Sequence, residues 1–221
     1  MLRAAPLVAF DTETTSLDTT VARLVGISFA VDRQHAWYVP VGHTSVDQPK
    51  QLELAEVREV LGPVFADSEK PMAAHNAKYD LQILERHGIP VRGLAFDTML
   101  ASYLADPGRY AHSLDNVSLD RLNHKTIAYS DVAGKGKDQV TFDRVPLATA
   151  VDYACEDAQL VMALQEQLAP EVENAGLGGM LVDLELPLAR VLARMESTGI
   201  AIEPELLHDG QDSLNNPLTR R

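Results

Sequence analysis

The order of apolar and polar residues along the chain predicts strands in its first part. Side chains in a strand alternate between two faces, and this period of two appears in three early segments that we predict as strands: 7–13, 23–32 and 35–41. Only a short polar link separates the second segment from the third, which is typical of antiparallel neighbours. The first part of the chain therefore predicts an antiparallel unit of three strands.

The remainder of the chain alternates between helical and strand patterns. Apolar residues spaced three and four apart predict helices, and short apolar runs between them predict two more strands. The predicted helices are 51–65, 77–88, 99–106, 113–123 and 147–172, the predicted strands are 71–76 and 94–98, and the Gly- and Lys-rich segment 128–146 is expected to be a loop. This order predicts an α/β fold with a mixed five-stranded sheet, three antiparallel strands and then parallel strands, flanked by helices. Such a sheet resembles that of ribonuclease H-like domains.

Composition and charge narrow the classes of function. Apolar residues make up 46% of the chain and charged residues 23%, which is ordinary for a soluble globular protein. The single cysteine, Cys155, excludes an internal disulfide and a multi-cysteine zinc site, and it fits a reducing, cytoplasmic location. No apolar run approaches the roughly 20 residues of a membrane span, so we expect no membrane partner. The net charge of −13 argues against general attraction to duplex DNA, but it allows nucleic acid held locally through bound cations.

Two acids stand at the end of the first predicted strand. Asp11 and Glu13 point to one face, opposite to Val8 and Phe10, because side chains alternate along a strand. Like charges at this spacing repel each other, and removing either one from water costs free energy. The pattern therefore indicates either a solvated strand end or a cation bound between the two acids.

Two further acids lie on the apolar faces of predicted helices. Asp80 shares a helix face with Asn76 and Leu84, because these residues are four apart, and Tyr153 and Asp157 are related in the same way. Aspartate is rarely buried without a partner, and no lysine or arginine in these segments offers one. We therefore expect Asp80 and Asp157 to converge on the two acids of the first strand.

Four converging carboxylates predict a site for divalent cations. Oxygen donors suit hard ions such as Mg²⁺ or Mn²⁺ better than zinc. Two such ions can activate water on one side of a phosphodiester and stabilise the leaving oxygen on the other. Tyr153 would then orient the attacking water through its hydroxyl group.

Three sequence motifs carry a resemblance to a known family. The segments "FDTETTSLD", "HNAKYD" and "YACEDA" resemble, in order and spacing, the three exonuclease motifs of the DEDD superfamily, and the tyrosine four residues before the last aspartate resembles its tyrosine subclass. The connecting segments "FDTMLASYL" and "HKTIAYSDVAGKGKDQVTF" are similar to one branch, the proofreading 3′–5′ exonuclease domain of bacterial DNA polymerase I, a family A polymerase. The resemblance covers residues 5 to 207.

The resemblance implies removal of nucleoside 5′-monophosphates from single-stranded or frayed DNA 3′ ends. It implies that Asp11, Glu13 and Asp157 hold one divalent ion, that Asp11 and Asp80 serve a second, and that Tyr153 positions the attacking water. It also implies a set of residues around the DNA: Thr14, Leu17, Asn76 and Tyr79 near the terminal nucleotide, with Lys135 and Lys137 as phosphate contacts.

The resemblance also implies a division of the chain. We expect an exonuclease domain over 1–175, a helical segment resembling the start of a polymerase domain over 176–207, and a disordered tail over 208–221. The helical segment carries an apolar stripe that would pack on the domain or on a missing partner, and its members are Leu181, Leu184, Leu188, Val191 and Met195. No polymerase motif is present, so a DNA polymerase is expected as a partner in cis or in trans, not as an activity of this chain.

Two alternatives remain open at this level. One is an exonuclease that trims RNA, similar to ribonuclease D, which shares the acids and the tyrosine; the "AGKGK" segment argues against it. The other is a module without catalytic activity that binds DNA ends or supports a polymerase. It predicts no release of mononucleotides with either metal ion.

Overall fold

A computed structural model describes residues 1–45 and 49–203, and its centre is a mixed five-stranded sheet. The strands are β1 Val8–Thr14, β2 Leu24–Ala30, β3 Ala36–Pro40, β4 Met72–Ala74 and β5 Leu94–Asp97. Their order in the sheet is β3-β2-β1-β4-β5. β1, β2 and β3 pair antiparallel, whereas β1, β4 and β5 pair parallel. The predicted ribonuclease H-like sheet, with its antiparallel and parallel parts, is confirmed.

Helices cover the sheet, and most lie close to their predicted positions. They are α1 Leu54–Phe65, α2 Ala77–Arg86, α3 Thr98–Ala105, α4 Leu114–Leu122, α5 Tyr129–Ala133, α6 Leu147–Asn174, α7 Gly178–Met180 and α8 Leu186–Thr198. Short 3₁₀ turns occupy Leu2–Ala4, Gly136–Asp138 and Phe142–Arg144. The segment 128–146 is therefore not only a loop, because it contains α5 and two of these turns.

β1 lies at the centre of the core, between helices on both faces of the sheet. Val8, Ala9 and Phe10 are fully buried. The Phe10 ring packs edge-on against Phe65 of α1, with 5.6 Å between ring centroids, while α6 packs across β1, β2 and β3. The central strand is thus apolar until Asp11, and its last residues carry the acids to the carboxyl edge of the parallel strands.

The carboxylate of Asp97 fixes the beginning of two helices at this edge. It accepts hydrogen bonds from the backbone N–H groups of Met99 (2.9 Å) and Leu100 (3.2 Å) at the start of α3. It also accepts from the N–H groups of Asn76 (3.2 Å) and Ala77 (2.8 Å) at the start of α2. Asp97 therefore caps α3 and also holds the start of α2, the helix that carries Asp80.

The apolar stripe predicted for the last helical segment does not pack as a unit. Leu181 is buried, but the other four members, Leu184, Leu188, Val191 and Met195, are exposed. The cause is a π-helical stretch over Leu181–Glu185, because the wider π turn rotates the following helix relative to a regular α-helix. α8 instead buries Leu186, Ala189 and Ala193 and packs against α2.

The expected tail over 208–221, and the end of the expected segment 176–207, lie outside the described residues. Across the two described ranges, no helix is long and apolar enough to cross a membrane.

Candidate metal centre

Three carboxylates meet at the end of β1. Asp11 and Glu13 project from β1 towards α6, and Asp157 projects from α6 towards them. One oxygen atom from each of the three lies within 4.8 Å of the other two. Glu13 and Asp157 are buried, and Asp11 keeps partial contact with solvent. Two elements far apart in the sequence therefore converge as the helix-face pattern predicts.

Asp80 lies beside this group and is held there by Thr12. Thr12 points away from Asp11 and Glu13, because it lies between them on the strand, and its hydroxyl donates to the Asp80 carboxylate at 2.5 Å. Asp80 is 2% exposed. It lies near enough to Asp11 for that charge to raise its pKa. Asp80 is thus a neighbour of the three-acid group and not one of its members.

Burial raises the pKa of all four acids, and repulsion by neighbouring charges adds to the rise for Glu13, Asp80 and Asp157. Burial raises the pKa of Asp11 from 3.8 to about 7. Burial, followed by the charges of Asp11 and Asp157, holds the pKa of Glu13 well above its usual range. Burial and then Asp11 do the same to the pKa of Asp80 and of Asp157. Ionisation of the group is therefore unfavourable unless positive charge is supplied.

The protein supplies little of that charge. Within 1–45 and 49–203, no lysine or arginine forms an ion pair with any of the four acids (the ion pairs formed there involve other carboxylates). Glu13 Oε1 is buried and has no hydrogen-bond partner in the described part of the chain. A cluster of hard oxygen donors with an unsatisfied buried member fits a divalent cation of the Mg²⁺ or Mn²⁺ class.

Tyr153 lies one helical turn before Asp157 on α6. A hydrogen bond from its hydroxyl to the Asp157 carboxylate partly opposes the rise in the pKa of that acid that burial and Asp11 cause. Burial raises the pKa of Tyr153 itself, and the charges of Asp157 and Glu13 add to the rise. The phenol therefore remains protonated at neutral pH, and it can donate or accept a hydrogen bond but cannot act as a base.

The predicted nucleotide-binding residues form an outer rim. The hydroxyl groups of Thr14 and Tyr79 are 2.5 Å apart, and the Tyr79 hydroxyl donates to the Ser16 carbonyl at 2.6 Å. Thr14 Oγ1 also donates to the Ser16 carbonyl, at 3.1 Å. This network holds the turn that carries Leu17, whose surface is 93% exposed. A large apolar side chain is thus presented to solvent beside the acids.

The other residues predicted to contact the DNA lie in two separate places. Asn76 has a left-handed backbone (φ 60°) and precedes α2, with its N–H bound by Asp97. Lys135 and Lys137 are exposed at the Gly136–Asp138 turn. That turn follows Ala133, which packs in a small apolar cluster with Tyr153. The lysines therefore lie on the segment that covers Tyr153.

Sequence reasoning missed several residues that shape the centre. Thr12 binds Asp80, and the register of the sheet places Ser28 and Tyr38 in line with Asp11. Their position depends on which residues pair across β1, β2 and β3. The alternation that predicts strands does not specify that pairing.

The sequence of the chain matches a family of nucleases and several longer relatives. A family model described as "3′-5′ exonuclease" matches residues 1–173. A DNA polymerase I of Pseudomonas aeruginosa is 42% identical over 209 residues, which covers 93% of this chain and 23% of that protein. The chain thus spans about a quarter of the length of the curated relatives that it matches first.

Two solved structures are similar in fold. The structure described as "POL domain of Pol1 from M. smegmatis complex with DNA primer-template and dNTP" has a TM-score of 0.75 at 24% identity, covering 96% of this chain and 32% of that one. The exoribonuclease RNase D of Escherichia coli has a TM-score of 0.64 at 17% identity, covering 88% of this chain and 46% of that one. At these identities the likeness establishes the fold alone.

Proposed function

This chain belongs to the 3′–5′ exonuclease family, and on that premise we propose that it removes nucleoside 5′-monophosphates from the 3′ ends of single-stranded or frayed DNA. The observation that carries the proposal is the group formed by Asp11, Glu13 and Asp157, with Asp80 beside it. Such a group suits phosphodiester hydrolysis because divalent cations held by it would activate water and offset the negative charge of the phosphodiester.

Two divalent ions, Mg²⁺ or Mn²⁺, complete the proposed site. Asp11, Glu13 and Asp157 would hold one ion, and Asp11 with Asp80 would serve the second. When bound, such ions provide a nucleophile at neutral pH and neutralise the charge that develops on the phosphodiester. The unsatisfied Glu13 Oε1 and the absence of a lysine or arginine partner among the described residues support this assignment.

Tyr153 has a positioning task in the proposed reaction. Its hydroxyl points towards Asp157 and stays protonated, because burial and the neighbouring acids raise its pKa. It would orient the attacking water by a hydrogen bond, and the metal-assisted mechanism requires no protein base. Removing the hydroxyl should therefore lower kcat more than it weakens substrate binding.

The outer rim would hold the last nucleotide. Leu17 is exposed where a base could stack on it, and Thr14 and Tyr79 hold its turn in place. Contact with the face of a base suits a nuclease that accepts any sequence. Asn76 would bind at the same end, and Lys135 and Lys137 would contact backbone phosphates further along the strand.

DNA is the favoured substrate because the curated relatives are DNA polymerases I. We propose residues 1–175 as the exonuclease domain and 176–207 as a helical segment that leads towards a polymerase. A polymerase would then act on the same DNA, either in the same polypeptide or as a separate molecule. Synthesis of DNA is not proposed for this chain.

An exonuclease assay with end-labelled oligonucleotides tests the proposal. Matched single-stranded DNA and RNA, labelled in separate samples at the 5′ end and at the 3′ end, are incubated with Mg²⁺ or Mn²⁺ and with EDTA. We expect a ladder of DNA products shortened from the 3′ end, release of mononucleotides, and no cleavage in EDTA. Faster degradation of RNA would support the ribonuclease D-like alternative, and DNA binding without cleavage would support a non-catalytic module.

A further inference from the structure

A row of side chains links the acids to the edge of the sheet. Asp11 pairs with Ser28 on β2, which pairs with Tyr38 on β3, and paired residues of antiparallel strands share a face. In the next row Glu13 pairs with Gly26. The Tyr38 ring lies directly over Gly26, where a Cβ atom would overlap the ring and its hydroxyl. The Tyr38 hydroxyl is therefore placed on the Glu13 side of the candidate metal centre.

His43 holds the Tyr38 hydroxyl. The two are hydrogen-bonded, with 2.8 Å between the hydroxyl oxygen and His43 Nε2. Burial lowers the pKa of His43, which favours the neutral ring, and we assign the ring proton to Nδ1, which has no hydrogen-bond partner in the described part of the chain. Nε2 then accepts the Tyr38 proton. Gln51 holds the His43 backbone at both its N–H (2.9 Å) and its carbonyl (2.8 Å).

The contacts continue from His43 to Tyr153. The His43 ring packs on Phe142, with 5.9 Å between centroids, and Phe142 packs on Tyr153 at 5.8 Å. Phe142 is fully buried. Tyr38, His43 and Phe142 form what we call the aromatic bridge, a continuous line of contacts from the Glu13 side of the centre to the tyrosine on α6.

Backbone contacts hold the two halves of the aromatic bridge together. The Thr44 N–H, next to His43, donates to the Asp143 carbonyl, next to Phe142, at 2.7 Å. The Thr44 hydroxyl also donates to the Asp143 carboxylate at 3.2 Å. Arg23, which just precedes β2, pairs with the same carboxylate at 3.6 Å. Residues 43–44 are therefore tied to residues 142–143, just before α6.

We propose that the aromatic bridge is a positioning device that fixes the orientation of the Tyr153 hydroxyl relative to the candidate metal centre. This inference rests on the proposed function, in which Tyr153 orients the attacking water. A phenol can rotate about two side-chain bonds, and a catalytic group must be held within about 0.5 Å of its productive position. Phe142 supports one side of the Tyr153 ring, and the Tyr38–His43 hydrogen bond in turn keeps Phe142 in place.

The competing explanation is that these contacts only pack the core. Removal of the Tyr38 hydroxyl distinguishes the two explanations. Tyr38→Phe keeps the ring over Gly26 and removes only the hydrogen bond to His43. We expect kcat to fall about 10-fold, at the low end of the loss seen when a supporting partner is removed, with KM and Mn²⁺ affinity unchanged. The matched control is Tyr110→Phe, because Tyr110 is fully exposed, and its kcat should equal that of the wild type.

A double-mutant cycle shows whether the effect passes through Tyr153. If it does, adding Tyr38→Phe to Tyr153→Phe lowers kcat no further, because there is no hydroxyl left to position. Losses that multiply in the double variant would overturn the proposal, as would a Tyr38→Phe enzyme with wild-type kcat. If the wild-type chain itself releases no nucleotide, the proposed function fails, and the positioning claim is then decided by the structural readout below.

Fluorine NMR gives that readout without any turnover. The six tyrosines are replaced by 3-fluorotyrosine, and the signal of Tyr153 is assigned from its loss in Tyr153→Phe. We expect Phe142→Leu and Tyr38→Phe each to shift or broaden the Tyr153 signal and to leave the Tyr110 signal unchanged. An unchanged Tyr153 signal in the Tyr38→Phe protein would refute the aromatic bridge as a positioning device.

Discussion

Two buried carboxylates at the same edge of the sheet, those of Asp97 and Glu13, differ in the hydrogen-bond donors that the described part of the chain gives them. Asp97 is 1% exposed and accepts four backbone hydrogen bonds from the first residues of α2 and α3. Glu13 is almost as buried, but one of its oxygens has no partner among the described residues. The chemical group is the same, and the surroundings differ.

The difference distinguishes an acid whose hydrogen bonds the fold supplies from one whose hydrogen bonds it does not supply. Burial raises the pKa of both, but in Asp97 the backbone hydrogen bonds oppose that rise, whereas in Glu13 the charges of the neighbouring acids add to it. A carboxylate that the protein satisfies stabilises the fold. A carboxylate that the protein leaves unsatisfied, beside others of the same sign, indicates that something positive is missing.

The largest expected effect is the loss of activity in Asp157→Ala. We expect nuclease activity to fall about 10³-fold, the loss typical when one electrostatic stabiliser of a transition state is removed. The free energy of unfolding without metal should not decrease, because the variant relieves repulsion in the group. Asp152→Ala is the matched control, as Asp152 is exposed on the same helix, and its rate should equal that of the wild type. A strongly destabilised but active Asp157→Ala protein would contradict the comparison.

For Asp97→Ala we expect the reverse of the Asp157→Ala result, namely a loss of stability. The variant removes the cap of two helices, at about 1 kcal/mol each, and leaves buried N–H groups without an acceptor. We therefore expect a loss of about 3 kcal/mol in the free energy of unfolding, measured by urea denaturation in EDTA. Asp97→Asn keeps one acceptor oxygen and should lose less. If Asp97→Ala were as stable as the wild type, Asp97 would not be the structural counterpart that we describe.

The smallest expected effect is the pH dependence that Asp11 contributes. A carboxyl group whose pKa rises from 3.8 to about 7 on folding binds more protons when folded than when unfolded within that range. Stability in EDTA therefore falls as pH rises from about 4 to 7. Asp11→Asn should remove part of this fall, so that the variant gains stability relative to the wild type as the pH rises from 4 to 8. Parallel stability curves for the two proteins would argue against a raised pKa of Asp11 in the folded protein.

The secondary-structure elements and the inward placement of the four acids are predictable from the sequence, because both depend on local patterns. Alternation identifies β1, and the spacing of four residues places Asp80 and Asp157 on the inner faces of their helices. The convergence of Asp11, Glu13 and Asp157 follows once these elements pack in a ribonuclease H-like order. Predicting these features does not require the pairing of residues across neighbouring strands.

Features that depend on register or on a single turn are not predictable in this way. Tyr38 lies over Gly26 because of strand pairing, and Asp97 serves a second helix because β4 and β5 end side by side. The π turn after α7 changes the buried face of α8, and nothing in the spacing of leucines indicates it. Asp80 is held by Thr12 beside the three-acid group and not within it, a relation that only the three-dimensional packing determines.

Anomalous scattering from crystals soaked in Mn²⁺ tests the central claim most directly. The account predicts one anomalous peak among the oxygens of Asp11, Glu13 and Asp157, and a second peak near Asp11 and Asp80. It also predicts no peak at Asp97, whose oxygens are already engaged. A map without a peak at the three acids, or with a lysine ammonium in that place, would contradict the claim that these carboxylates are arranged for divalent cations.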